Sequence, residues 1–168
     1  GENGLLLSNP FHYRDSRTQW VPDEVFKIVP RERIYQKTGI QCLPIASLFQ
    51  LYATKKEFPY LLDDAVKLLF MPDIFNYFLT GEQVSEYTIS TTSAMYNSNG
   101  HGQMRAPRGN WNYDIAEELG LPSRSLAEVI SPGTFISNVL PGIKDETGCG
   151  NIPVYAVCCH DTASAVAG

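Results

Sequence analysis

With 168 residues, 43% of them hydrophobic and 18% charged, the chain has the composition of a soluble globular protein and is long enough to bury a sizeable core. Its 13 basic against 18 acidic residues leave a net charge of -5, and no cluster of Lys or Arg forms the stripe that a phosphate backbone demands, which argues against nucleic acid as a partner. Apolar runs such as Leu68-Leu69-Phe70-Met71 fall far short of the roughly 20 residues that span a bilayer, and no basic-then-apolar leader opens the chain, so a soluble, cytoplasmic protein with no membrane partner is expected.

In chain order, Gly4-Leu5-Leu6-Leu7 reads as a strand entered from a turn and ended by Ser8-Asn9-Pro10, because proline removes a ladder donor. Helices are predicted over 23–28, 31–38, 46–56, 61–69 and 73–80. Gly39 and Gly81 directly follow the periodic residues of their helices, where a left-handed C-terminal cap is wanted. In the last of these helices Ile74, Phe75, Phe78 and Leu79 share one face, which is expected to pack inward. Residues 85–97 are rich in hydroxyl and β-branched side chains and read as a short helix leading into a strand. The Gly-, Arg- and Asn-rich stretch 98–110 lacks apolar periodicity and reads as an exposed loop. Trp111 restarts order, and a helix near 113–119 ends at Gly120-Leu121-Pro122.

The run IPVYAV at 152–157 is nearly continuously apolar, as in strands buried on both faces of a parallel sheet. Asp161 follows at a natural N-cap, and the small residues after it suit a helix packed closely on that sheet. A carboxylate at the carboxyl end of a parallel strand stands where α/β sheets gather their ligand sites. The same carboxylate can cap the helix with one oxygen and face a substrate with the other.

Cys42, Cys149, Cys158 and Cys159 lack the spacing of a disulfide framework and read as reduced thiols. Cys158-Cys159-His160 invites a metal. Strand alternation would send the two thiols to opposite faces, however, and a zinc site needs converging ligands, so no metal site is expected. No repeat, low-complexity tract or linker divides the chain into separate domains.

The closing IPVYAVCCHDTASAVAG resembles the segment of FGGY carbohydrate kinases that ends in the catalytic aspartate, and HDTASAV is particularly similar to the rhamnulokinases of that family. YRDSRT at 13–18, TGIQCLPIASLFQLYA at 38–53, and LLFMPDIFNYFLTGE with VSEYT, within 68–88, resemble the same family in the same order. The resemblance implies an α/β fold, a partial actin-like ATPase (ribonuclease H-like) domain with a helical insertion. Residues 1–168 would then be part of the N-terminal, sugar-binding domain. The Gly-rich first phosphate loop and the C-terminal nucleotide domain of these kinases have no counterpart in the sequence.

The activity implied is phosphorylation of a ketose by ATP with magnesium. L-rhamnulose is the first candidate, with L-rhamnulose 1-phosphate as product; xylulose, fuculose, ribulose and glycerol are the substrates of related kinases. The alternative from another class is a non-catalytic interaction module derived from a kinase. The family's catalytic base falls on Asp161, which would take the proton of the attacking sugar hydroxyl. His160, Asp161 and Thr162 would line the sugar; the plainer roles are a backbone hydrogen bond for His160 and a local one for Thr162. Asp15 and Arg17 are expected to form a structural pair. The isolated chain is expected to bind no cofactor, to be inactive, and to self-associate through sheet edges at 4–7 and 152–157.

Overall fold

Proline opens and glycine closes many of the helices in this chain, because proline suits the first helical turn and glycine the left-handed residue beyond the last. The computed structural model describes residues 1–98 and 111–168. Its first elements are α1 (Val21–Val25), α2 (Arg31–Thr38), α3 (Ser47–Glu57), α4 (Pro59–Asp63), α5 (Met71–Thr80), β1 (Val84–Glu86) and α6 (Tyr87–Thr91). There follow α7 (Tyr113–Glu118), β2 (Glu128–Ile130), β3 (Phe135–Asn138), α8 (Pro141–Thr147), β4 (Pro153–Tyr155) and α9 (Asp161–Ala167). Pro22, Pro59, Pro72 and Pro141 lie in the first two positions of α1, α4, α5 and α8. Gly39 and Gly81 end α2 and α5 at φ of 68° and 80°, as their place in the sequence predicts.

The chain divides into two compact units. The first comprises residues 1–68, 91–98 and 111–126 of those described. Its core is built by Val21, Val25, Ile34, Leu48, Phe49 and Ile115, all essentially inaccessible to solvent, and each such side chain contributes roughly 1.5–3 kcal/mol by burial. Leu48, Phe49, Tyr52 and Ala53 are the buried residues of α3, at the i, i+1, i+4, i+5 spacing of a single helix face. On the surface, Arg33 of α2 meets Asp114 at 2.8 Å and Glu118 at 2.6 Å on α7. Lys37 shares Asp114, and these two cations hold the Asp114 carboxyl down to about 2.

Arg17 lies within the 3-10 turn Ser16–Thr18 that Asp15 caps, but the two side chains do not pair. The Asp15 carboxylate accepts the Arg17 amide at 2.9 Å. The guanidinium instead donates to Glu57 Oε2 at 3.0 Å, Thr54 Oγ1 at 2.7 Å and the Gln50 carbonyl at 2.9 Å, and lies 3.9 Å from the centre of the Phe11 ring. Arg17 thereby ties the N-terminal segment to α3.

The second unit comprises 69–90 and 127–168 of the described residues. Here β1 pairs in parallel with β2, with Ser85 opposite Val129, and β3 pairs antiparallel with β4, with Phe135 opposite Tyr155. Helix α5 packs against β1, β3 and β4.

Several expectations are corrected. Residues 4–7 form no strand, and Leu5, Leu6 and Leu7 are exposed; three leucines in a row carry burial preference but no partner to pair with. The helix predicted over 61–69 is α4, which ends at Asp63. The apolar run 152–157 contains only the short β4, antiparallel rather than parallel, and Ile152, Tyr155 and Val157 are exposed. Cys158 and Cys159 lie beyond that strand, so alternation does not decide their directions; all four cysteines are free thiols.

The outer face of α5 is the reverse of the predicted one. Phe75, Phe78 and Leu79 are exposed while Asp73 and Thr80 are buried, because Asp73 is held by the amide of Glu86 on β1 at 3.0 Å. Residues 85–97 begin with strand β1 and continue into helix α6, ending at a bridge between Tyr96 and buried Trp111. The loop expected over 98–110 lies, apart from Ser98, outside the described residues.

Candidate functional site

The segment after β4 leaves the strand at Tyr155, runs irregularly through 156–159 and enters α9 at Asp161. His160 is the N-cap, with φ -79° and ψ 125°, and makes no side-chain capping bond. The expected N-cap, Asp161, is thus the first helical residue. Its Oδ1 still accepts the amide of Thr162 at 2.7 Å, one of the donors that a helix start leaves open. The Thr162 hydroxyl lies 3.4 Å from the same oxygen and His160 Nε2 3.3 Å from it. The Asp161 side chain is otherwise 94% exposed. His160, Asp161 and Thr162 are therefore brought together around one carboxylate oxygen.

Beneath this exposed group lies a buried one that the sequence reading did not single out. Glu86, at the end of β1, has no accessible surface. Charged side chains are almost never so buried unless their polar atoms are met. Its Oε1 accepts the Thr88 amide at 2.8 Å. Its Oε2 accepts the Thr88 hydroxyl at 2.5 Å, the Ile89 amide at 3.2 Å and the Cys159 amide at 3.2 Å. The Thr88 hydroxyl oxygen in turn accepts the amide of His160 at 3.1 Å. A Glu two residues before a Thr, at a strand-to-helix turn, was the available signal: VSEYT places both where α6 begins.

The surroundings of Glu86 shape two neighbouring groups. Burial pushes the Asp73 carboxyl up to about 6, and the Glu86 charge adds to this against the amides of Glu86 and Phe70. Burial first, then Glu86 and Asp73, push the Cys159 thiol up to about 11. Both effects disfavour a further negative charge in a poorly solvated place.

Among the described residues no three His, Cys, Asp or Glu side chains converge as metal ligands, and the His160 ring nitrogen is the one side-chain nitrogen among them found beside Asp161, at 3.3 Å. These residues do not by themselves fit a nucleotide-metal complex. A cavity of about 670 Å³ in the first unit, lined among others by Leu6, Asp63, Asp64 and Arg124, includes none of residues 160–162. No helix among the described residues is long and apolar enough to cross a membrane.

Known proteins agree with this architecture. The chain is 39% identical over 167 residues to the rhamnulokinase of Bacteroides thetaiotaomicron, covering 99% of this chain and 33% of that protein. To the rhamnulokinase of Pectobacterium atrosepticum it is 39% identical over 168 residues, covering 99% and 31%. The chain thus spans about a third of the length of the curated relatives it matches.

Among solved structures, a ligand-bound xylulose kinase from Lactobacillus acidophilus superposes with a TM-score of 0.79 at 18% identity, covering 94% of this chain and 31% of that one. A carbohydrate kinase from Novosphingobium aromaticivorans gives 0.78 at 23%, covering 98% and 33%. These two likenesses carry the fold alone, which is mixed α/β and of the actin-like ATPase class. Residues 2–168 match the FGGY family of carbohydrate kinases, N-terminal domain, and the chain belongs to that family.

Proposed function

We propose that the full-length protein is an ATP-dependent sugar kinase acting in the cytoplasm, with Asp161 as the base that accepts a proton from the attacking sugar hydroxyl. One observation carries this: the Asp161 carboxylate is exposed at the start of α9, with Oδ1 engaged by Thr162. Its Oδ2 is left to face a substrate. ATP with magnesium supplies the phosphoryl group when bound. Phosphoryl transfer leaves little covalent work to the protein, so what Asp161 contributes is orientation of the hydroxyl and reception of its proton. His160 and Thr162, on either side, line the sugar and offer it hydrogen bonds.

The substrate is L-rhamnulose and the product L-rhamnulose 1-phosphate. The support is the level of identity to proteins named rhamnulokinase, 36% to 39% over nearly the whole chain. Steady-state assays of the full-length protein with magnesium, ATP and a panel of L-rhamnulose, xylulose, fuculose, ribulose and glycerol test it. The highest kcat/KM is expected for L-rhamnulose. A preference for another member would overturn the substrate but keep the kinase; no sugar phosphate from any of them would overturn the kinase and favour an interaction module.

The 168-residue chain by itself forms no sugar phosphate in this reading, because catalysis rests on holding nucleotide, metal and acceptor together. Of the two edges expected to drive self-association, β4 supplies one, with no strand paired on its second side among the described residues, whereas 4–7 supplies none.

A further inference from the structure

We propose that Glu86 and Thr88 are positioning residues for the catalytic carboxylate: they fix the two consecutive amides that precede Asp161 and so set where its side chain points. This rests on reading Asp161 as the base. Among the described residues the Glu86 carboxylate accepts four hydrogen bonds, and three of them, from Thr88 and Ile89, would serve merely to start α6. The fourth comes from the amide of Cys159, 73 residues later.

Thr88 repeats the pattern with one hydroxyl, which donates to Glu86 and accepts from the amide of His160. The two contacts act on adjacent residues, so they define both the position and the direction of the backbone entering α9. Asp161 has no comparable anchor of its own. Among the described residues its carboxylate meets only His160 and Thr162, its chain neighbours, and is otherwise exposed. Its aim is therefore inherited from 159–160, and the aim of those residues from Glu86 and Thr88. A displacement of about 1 Å at a reacting group can cost on the order of 10²-fold in rate.

The test compares full-length wild type with Thr88→Val, Thr88→Ser, Asp161→Asn and the Thr88→Val/Asp161→Asn double variant, using L-rhamnulose and ATP with magnesium. Valine keeps the shape of threonine and removes both hydrogen bonds, whereas serine keeps the hydroxyl. Thr88→Val is expected to lower kcat by roughly 10- to 100-fold with KM for the sugar changed by no more than about fivefold, and Thr88→Ser to stay within about threefold of wild type. In the double variant the valine should lower the residual rate of Asp161→Asn by no more than about twofold, because residues acting through one group are not additive.

A wild-type kcat in Thr88→Val beside an impaired Asp161→Asn overturns the positioning role and leaves the base. A full Thr88→Val penalty repeated on the Asp161→Asn background overturns it too, since the threonine would then be holding the fold. Wild-type turnover in Asp161→Asn overturns the base itself and with it what the pair would aim. Should Thr88→Val not fold, Glu86→Gln takes its place with the same expected pattern; failure of both to fold would make the pair structural and end the proposal.

Discussion

The amide of Glu86 donates to Oδ1 of Asp73 at 3.0 Å, a bond that holds the buried Asp73 of α5 against β1. Among the described residues, Oδ2 of Asp73 and the hydroxyl of Ser85 are buried there with no well-formed hydrogen bond, and Ser85 offsets only a small part of the cost of burying the Asp73 charge. An acceptor held in this way costs stability when it carries a charge and little when it carries a proton.

The pH dependence of stability follows from that cost. The Asp73 carboxyl is raised from 3.8 to about 6 in the fold, so between those values the folded chain holds a proton that the unfolded chain has released. Stability therefore falls as pH rises through this window, by on the order of 3 kcal/mol for this group. Asp73→Asn keeps an acceptor for the Glu86 amide and is neutral throughout. It is expected to flatten the decline in melting temperature between pH 4 and about 6; an unchanged decline would assign it to another group.

On the proposed reading of Asp161 as the base, Asp161→Asn in the full-length protein is expected to lower kcat by roughly 10²- to 10⁴-fold, the usual worth of a positioned general base. The amide keeps the size of the side chain and an acceptor for the Thr162 amide, so sugar affinity should change far less. Turnover within a few-fold of wild type would remove Asp161 from the catalytic role.

The thiol of Cys159, pushed up to about 11 by burial and by Glu86 and Asp73, should remain a thiol rather than a thiolate at neutral pH. Alkylation follows the thiolate. Mass spectrometry after iodoacetamide at pH 7.5 is therefore expected to find Cys159 unmodified in the native protein and modified once urea has unfolded it. Rapid native labelling at this position would show that its surroundings are better solvated than the fold implies.

Arg17→Lys tests the anchor between the N-terminal segment and α3. A lysine ammonium cannot reproduce a fork that meets Glu57, Thr54 and the Gln50 carbonyl while lying over Phe11. The substitution is expected to cost about 1–3 kcal/mol, read as a lower urea midpoint. A midpoint equal to wild type would mean that these contacts are replaced by water at no loss.

What the sequence by itself determined is local. Gly39 and Gly81 announce the ends of α2 and α5 because a left-handed residue is a property of one backbone position. Asp161 stands at the start of α9 for a similar reason, since an apolar run followed by His-Asp-Thr and small residues leaves the chain few other ways to turn. The FGGY likeness was legible in the same stretches. Tertiary structure decided the remainder, because it depends on which distant residue supplies a partner. Strands β2 and β3 have weak local signals and exist through pairing with β1 and β4. The periodicity of α5 identifies an apolar face, yet Asp73, bound by the Glu86 amide, and Thr80 are buried while Phe75, Phe78 and Leu79 are exposed. The ties from Cys159 to Glu86 and from His160 to Thr88 join residues more than 70 positions apart. No local pattern encodes them, because a buried carboxylate is tolerated only where the whole fold delivers its donors to one point.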